Sequence, residues 1–173
     1  MTKLYDVVVP QFARTLGSTA GFLKIVEQAC GDGNVFEDEI LRSRIHPEMH
    51  PFAYQVKSTV EHSLGSIKAA RARFATPNLE QPPDSLRGLL LKVEAAQREL
   101  AALTADEVNG FEDQEIRFKW KETRLTFSAQ DFFLSYALPN FYFHATTAYA
   151  ILRMSGLAIG KLDFLGDLPA RRH

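Results

Sequence analysis

Apolar residues recur at three- and four-residue intervals through four long stretches, each set off by proline, glycine or turn residues, and this constrains the fold more than any other feature. In the first stretch, Tyr5 to Cys30, they fall at Val8, Phe12, Leu16, Phe22, Leu23, Ile25 and Val26, one stripe of a long helix. Pro10 belongs to its first turn or marks a kink, and Gly31-Asp32-Gly33-Asn34 supplies the left-handed turn chemistry that ends it. Asn34 is placed to cap a short helix from Val35 to Ile45. Pro47 and Pro51 then enforce extended backbone, and Pro51 opens a second long helix carrying Phe52, Val56, Val60, Leu64, Ile67 and Phe74. After a proline-rich connection, Thr76 to Pro83, Asp84 or Ser85 can cap a third helix that reaches about Leu103. From Gln114 to Phe127 the period drops to two, which predicts a small β-hairpin whose turn, lacking glycine, has no type fixed by sequence. Ser128 to Asp131 resembles a capping box and starts a fourth helix running to Gly156, with a kink expected at Pro139. Leu157, Ile159, Leu162, Phe164 and Leu165 make the tail apolar enough to pack back on the helices, leaving Arg171-Arg172-His173 frayed.

Four amphipathic helices with one hairpin before the last predict an all-α fold, a four-helix bundle, and 173 residues suffice for one domain over residues 1–173. Twenty basic against 21 acidic residues give a net charge of -1, so no global field is available to hold nucleic acid or an anionic membrane, and neither partner is expected. The single cysteine, Cys30, excludes an internal disulfide framework; it reads as a buried structural thiol in a reducing compartment. With no apolar run near the roughly 18–20 residues of a membrane span and no signal-peptide pattern at the start, a cytoplasmic location is expected. The charge runs Glu37-Asp38-Glu39 and Lys119 to Lys121 read as solvated surface. Gly17 and Gly65, inside predicted helices, point to close helix approach or simple tolerance.

Chemistry concentrates on two helices. A 3.6-residue wheel puts Tyr136, Asn140, Phe143, His144 and Thr147 on one face of the fourth helix, where a bundle ordinarily has Leu or Ile. Gln55, Thr59, His62 and Ser66 align in the same way on the second. Buried polar groups need partners, so the two faces are expected to share an interior cluster in which His62 meets His144. That cluster is either a satisfied hydrogen-bond network or a ligand pocket formed by Gln55, Thr59, His62, Tyr136, Asn140, His144 and Thr147. His46 and His50 have helical ligand spacing, but Pro47 and Pro51 break the helix that would bring them together.

Pro139-Asn-Phe-Tyr-Phe-His144, Thr-Ala-Tyr-Ala-Ile-Leu-Arg153 and Gly160-Lys-Leu-Asp-Phe-Leu-Gly166 resemble the closing signature of a DinB/YfiT-like branch catalogued as a domain of unknown function. Leu4-Tyr5-Asp6-Val-Val-Val-Pro10 and Pro47-Glu-Met49-His-Pro51-Phe-Ala-Tyr-Gln55-Val56 resemble its opening and second-helix entry, so the likeness spans nearly the whole chain. The resemblance implies an antiparallel DinB-like four-helix bundle and a homodimer. In many members it also implies a divalent metal on one second-helix histidine and a His-x-x-x-His pair of the last helix. Carried over residue by residue, His62 and His144 match ligand positions, while Asn140 stands where the pair's first histidine would be. An amide oxygen binds zinc or nickel more weakly than imidazole, so the expected cofactor is none, or a weakly held divalent metal. Three functions are compatible with this pattern: a small-molecule-binding bundle with a degenerate metal site, a metal-dependent hydrolase or thiol S-transferase of the DinB/YfiT kind, or a structural, self-associating protein.

Overall fold

The computed structural model describes residues 3–169. The first long helix, α1 (Leu4–Gly31), runs unbroken through Pro10, which lies in its second turn. A short α2 (Glu37–Arg42) begins after Phe36, later than expected, and no side chain caps it, so Asn34 is not its cap. The second bundle helix is α3 (Phe52–Val60) continued by a π-helical segment, Glu61–Gly65, and α4 (Ser66–Ala72). It stops at Arg73, whose left-handed φ of 53° closes the turn, so Phe74 leaves the predicted helical stripe. Phe74 instead enters a two-residue strand, β1 (Phe74–Ala75).

The third helix, α5 (Leu86–Ala101), has a cap of two parts. The Ser85 hydroxyl accepts from the Gly88 N–H at 3.1 Å, and the Glu37 carboxylate accepts from the Leu86 N–H at 2.6 Å. Glu37 is therefore a second acceptor at a helix start, where the dipole favours an anion, and not simply solvated surface. A short α6 (Ala105–Asn109), capped by Thr104, comes next. The predicted hairpin is β2 (Glu115–Trp120) and β3 (Thr123–Ser128), in antiparallel register with Trp120 opposite Thr123. Its turn is Lys121-Glu122, with Lys121 supplying the positive φ (50°) that glycine would otherwise provide. β1 joins β2 in parallel, giving a three-stranded sheet in the order β1-β2-β3.

Ser128 caps the last bundle helix by accepting from the Asp131 N–H. That helix is α7 (Ala129–Asp131), a second π-helical segment, Phe132–Ala137, and α8 (Leu138–Met154). The π-helical turn lies just before Pro139, at the point of this continuous helix where the proline interrupts the hydrogen-bond ladder. Helix α1 packs on α5 and α3 on α8, with Phe12 edge-on to Phe141 at 4.8 Å between ring centroids. Phe12, Leu16, Leu23, Leu89, Leu90, Phe133, Phe141 and Ile151 lie at the centre of one contiguous core.

In the tail, Leu157 and Ile159 are buried, and Phe164 of α9 (Lys161–Leu165) stacks on Phe22, but Leu162 is 78% exposed and does not pack back. Cys30 is half-buried rather than fully enclosed. Gly17 has only an ordinary contact, Gln97 at 3.7 Å from a would-be Cβ. The expectation for Arg171-Arg172-His173 lies outside the described residues.

Candidate functional site

The two helices that carry π-helical segments, α3–α4 and α7–α8, are the two that carry His62 and His144. Each π-helical turn adds a residue to the helix and rotates the turns downstream of it, re-aiming side chains that a regular 3.6-residue repeat would have left elsewhere. His62 and Tyr136 lie within these segments. The His62 and His144 rings are nearly parallel, 9° apart, with centroids separated by 5.3 Å. Tyr136 meets His62 edge-on at 5.6 Å, and Tyr54 meets His144 at 6.3 Å.

A hydrogen-bond chain fixes how His144 carries its proton. The Gln55 side-chain nitrogen donates to the His50 carbonyl at 2.8 Å, and a carbonyl can only accept, so the Gln55 oxygen must face the other way. That oxygen lies 2.7 Å from His144 Nδ1. An amide oxygen accepts only, so Nδ1 bears the proton and donates, leaving Nε2 as the basic nitrogen. Gln55 itself is 2% exposed, which locks the relay in place. Burial pushes the pKa of His144 down to about 4, helped by His62 and His50. Burial also pushes His62 down to about 4; Lys57 adds to the effect and Glu61 opposes it. Both rings are neutral at pH 7. Tyr136 is pushed above the ordinary phenol range by burial.

His62, Tyr136, Asn140 and His144 line a cleft of about 440 Å³ between the second and last bundle helices, closed at one side by the chain from Phe74 to Asn78. Ser66 lines it too. Three expected members do not reach it. Gln55 stands behind His144, while Thr59 and Thr147 give their hydroxyls to carbonyls one turn back on their own helices, Gln55 at 2.9 Å and Phe143 at 2.7 Å. Phe143, placed by the wheel on the same face, is 56% exposed. Asn140 donates its side-chain N–H to the Tyr136 carbonyl at 2.8 Å, which leaves its amide oxygen available.

The cleft also holds residues that sequence reasoning did not select: Tyr54, Lys57, Ser58 and Glu61. Lys57 is 1% exposed; its ammonium donates to the Asn78 carbonyl at 2.6 Å and sits 5.4 Å from the Tyr54 ring centroid. The available signal was the run Tyr54, Lys57, Ser58, Glu61, His62 at spacings of three and four, a polar stripe one residue round from the one chosen. His50 precedes the helix and stacks on Tyr54 at 3.7 Å, away from any pairing with His46.

As a metal centre the donor set falls short. Among the described residues no group of three or more His, Cys, Asp or Glu side chains is gathered closely enough to hold an ion. Two imidazoles and a neutral amide oxygen do not fit a tightly bound zinc or nickel, which takes three or four strong donors.

A helical bundle with a small hairpin before its last helix is a DinB-like fold. The chain belongs to the family described as domain of unknown function (DUF1993), whose model matches residues 4–165. It is similar in structure to a DinB family member protein from Shewanella denitrificans, with a TM-score of 0.82 and 25% identity over 98% of this chain and 96% of that one. No curated protein matches the sequence. Among the described residues no helix is long and apolar enough to cross a membrane.

Proposed function

We propose that this protein binds a small polar molecule in the cleft between α3–α4 and α8, with His144 as the principal acceptor. The observation that carries the reading is the relay from the His50 carbonyl through Gln55 to His144 Nδ1, which holds a neutral imidazole with Nε2 basic at a solvent-accessible cleft. A hydrogen-bond network that served the core alone would have no need of an open cavity of about 440 Å³ beside it. The reading requires no resident metal, because a donor such as a hydroxyl or amine on the ligand would satisfy Nε2 directly.

The test is a broad fragment set added to isotopically labelled protein while the His62 and His144 ring resonances are followed. Fragments that shift both rings, and whose effect on the His62 ring is lost in His144→Ala, are the expected result. A set in which nothing moves these rings would overturn the proposal.

Self-association in a reducing, cytoplasmic setting completes the reading. It is supported by the family resemblance, by the lone cysteine, and by Phe143 and Met154, exposed and eleven residues apart on one face of α8. Sedimentation at micromolar concentration should give twice the chain mass of 19.5 kDa; a monomer there would remove it.

A further inference from the structure

Charge in the cleft is unevenly matched. Glu61 pairs with Lys92 at 3.3 Å, and Lys68 pairs with Glu99 at 3.1 Å. Lys57 has no carboxylate partner among the described residues. Its ammonium, almost wholly buried, is held by one carbonyl and by the face of Tyr54. A buried ammonium ordinarily has a counter-charge, because desolvating it alone is costly. Burial draws the Lys57 pKa down, and the more distant carboxylates of Glu61 and Glu80 offset this only in part.

The same tyrosine ties this cation to the histidines, since the Tyr54 ring lies 5.4 Å from Lys57 Nζ and 6.3 Å from the His144 ring centroid. Ser58 is 95% buried yet lines the same cleft, and its hydroxyl has no protein partner among the described residues. Phe74, Phe132 and Tyr136 supply flat apolar wall on the other sides.

We infer that the ligand is a small carboxylate with an apolar body and one hydrogen-bond donor: the carboxylate meets Lys57 and the Ser58 hydroxyl, the body lies against the aromatic wall, and the donor reaches His144 Nε2. This rests on the proposed ligand cleft and adds its chemical class. An anion fits where a cation would not, because Glu61 and Lys68, which also line the cleft, are already paired and the two imidazoles are neutral.

Three matched probes test it by titration against the His62 and His144 resonances: mandelate, its neutral counterpart mandelamide, and phenylacetate, which keeps the charge but lacks the hydroxyl donor. Mandelate is expected to bind at least tenfold more tightly than either. In Lys57→Met the preference for mandelate over mandelamide should vanish. The wild-type comparison stands even if that variant does not fold. Equal binding of mandelate and mandelamide, a preference that survives Lys57→Met, or no response to any of the three would overturn the assignment of a carboxylate. Neutral or cationic binders in the broad fragment set would at the same time leave the cleft itself as a binding site.

Discussion

Gln55 decides the state of His144 without touching the cleft. Its oxygen accepts the Nδ1 proton and its nitrogen is held by the carbonyl of the exposed His50, so Gln55→Leu would leave one part-buried group, His144 Nδ1, without its acceptor. Such a loss costs about 1–3 kcal/mol per unsatisfied group. Urea unfolding of Gln55→Leu should show a destabilisation in that range; an unchanged midpoint would mean that the relay does not form. Asn140 is the second informative residue. It lines the cleft beside both histidines and presents an amide where a third imidazole would make a conventional zinc set. Asn140→His is expected to raise zinc affinity roughly tenfold or more over the wild type by calorimetric titration. Equal affinities would show that the three positions do not converge on one point.

At the scale of elements, helix starts are fixed by short polar contacts that read well from sequence. Ser85 and Ser128 both cap as expected, each accepting from the N–H three residues on. Ser85→Ala should lower stability by about 1 kcal/mol, measured by thermal or urea unfolding. A loss near zero would mean that Glu37, on the Leu86 N–H, satisfies that helix end by itself. The long helices and the hairpin were legible because their periodicities run over many residues. The two-residue β1 and the five-residue α6 were not, since a parallel bridge or a single capped turn depends on tertiary placement and leaves almost no pattern. The π-helical segments are the costlier omission for function. A wheel of 3.6 residues assumes an uninterrupted helix, so it selected His62, Asn140 and His144 but also Thr59 and Thr147, whose hydroxyls turn back to their own backbone. It passed over Lys57 because a lysine is ordinarily at the surface, whereas this one reaches a carbonyl of the neighbouring segment.

For the whole molecule, two neutral buried histidines couple folding to pH. In the unfolded chain each takes up a proton near 6.5; in the folded protein neither does so until about 4. The folded state therefore binds fewer protons between these values, so stability is fully present above pH 6.5, declines as the pH falls toward 4, and then levels off. The loss is on the order of 3 kcal/mol per histidine. Urea unfolding at pH 8, 6, 5 and 4 checks the sign, and a protein whose stability rises on acidification through this window would contradict it. The most direct measurement is a nitrogen-15 titration of the imidazoles in the folded protein. His62 and His144 are predicted to stay neutral down to about pH 5, with the His144 proton on Nδ1 and Nε2 showing the shift of an unprotonated nitrogen. Either ring protonating near 6.5, or a His144 that carries its proton on Nε2, would contradict the account.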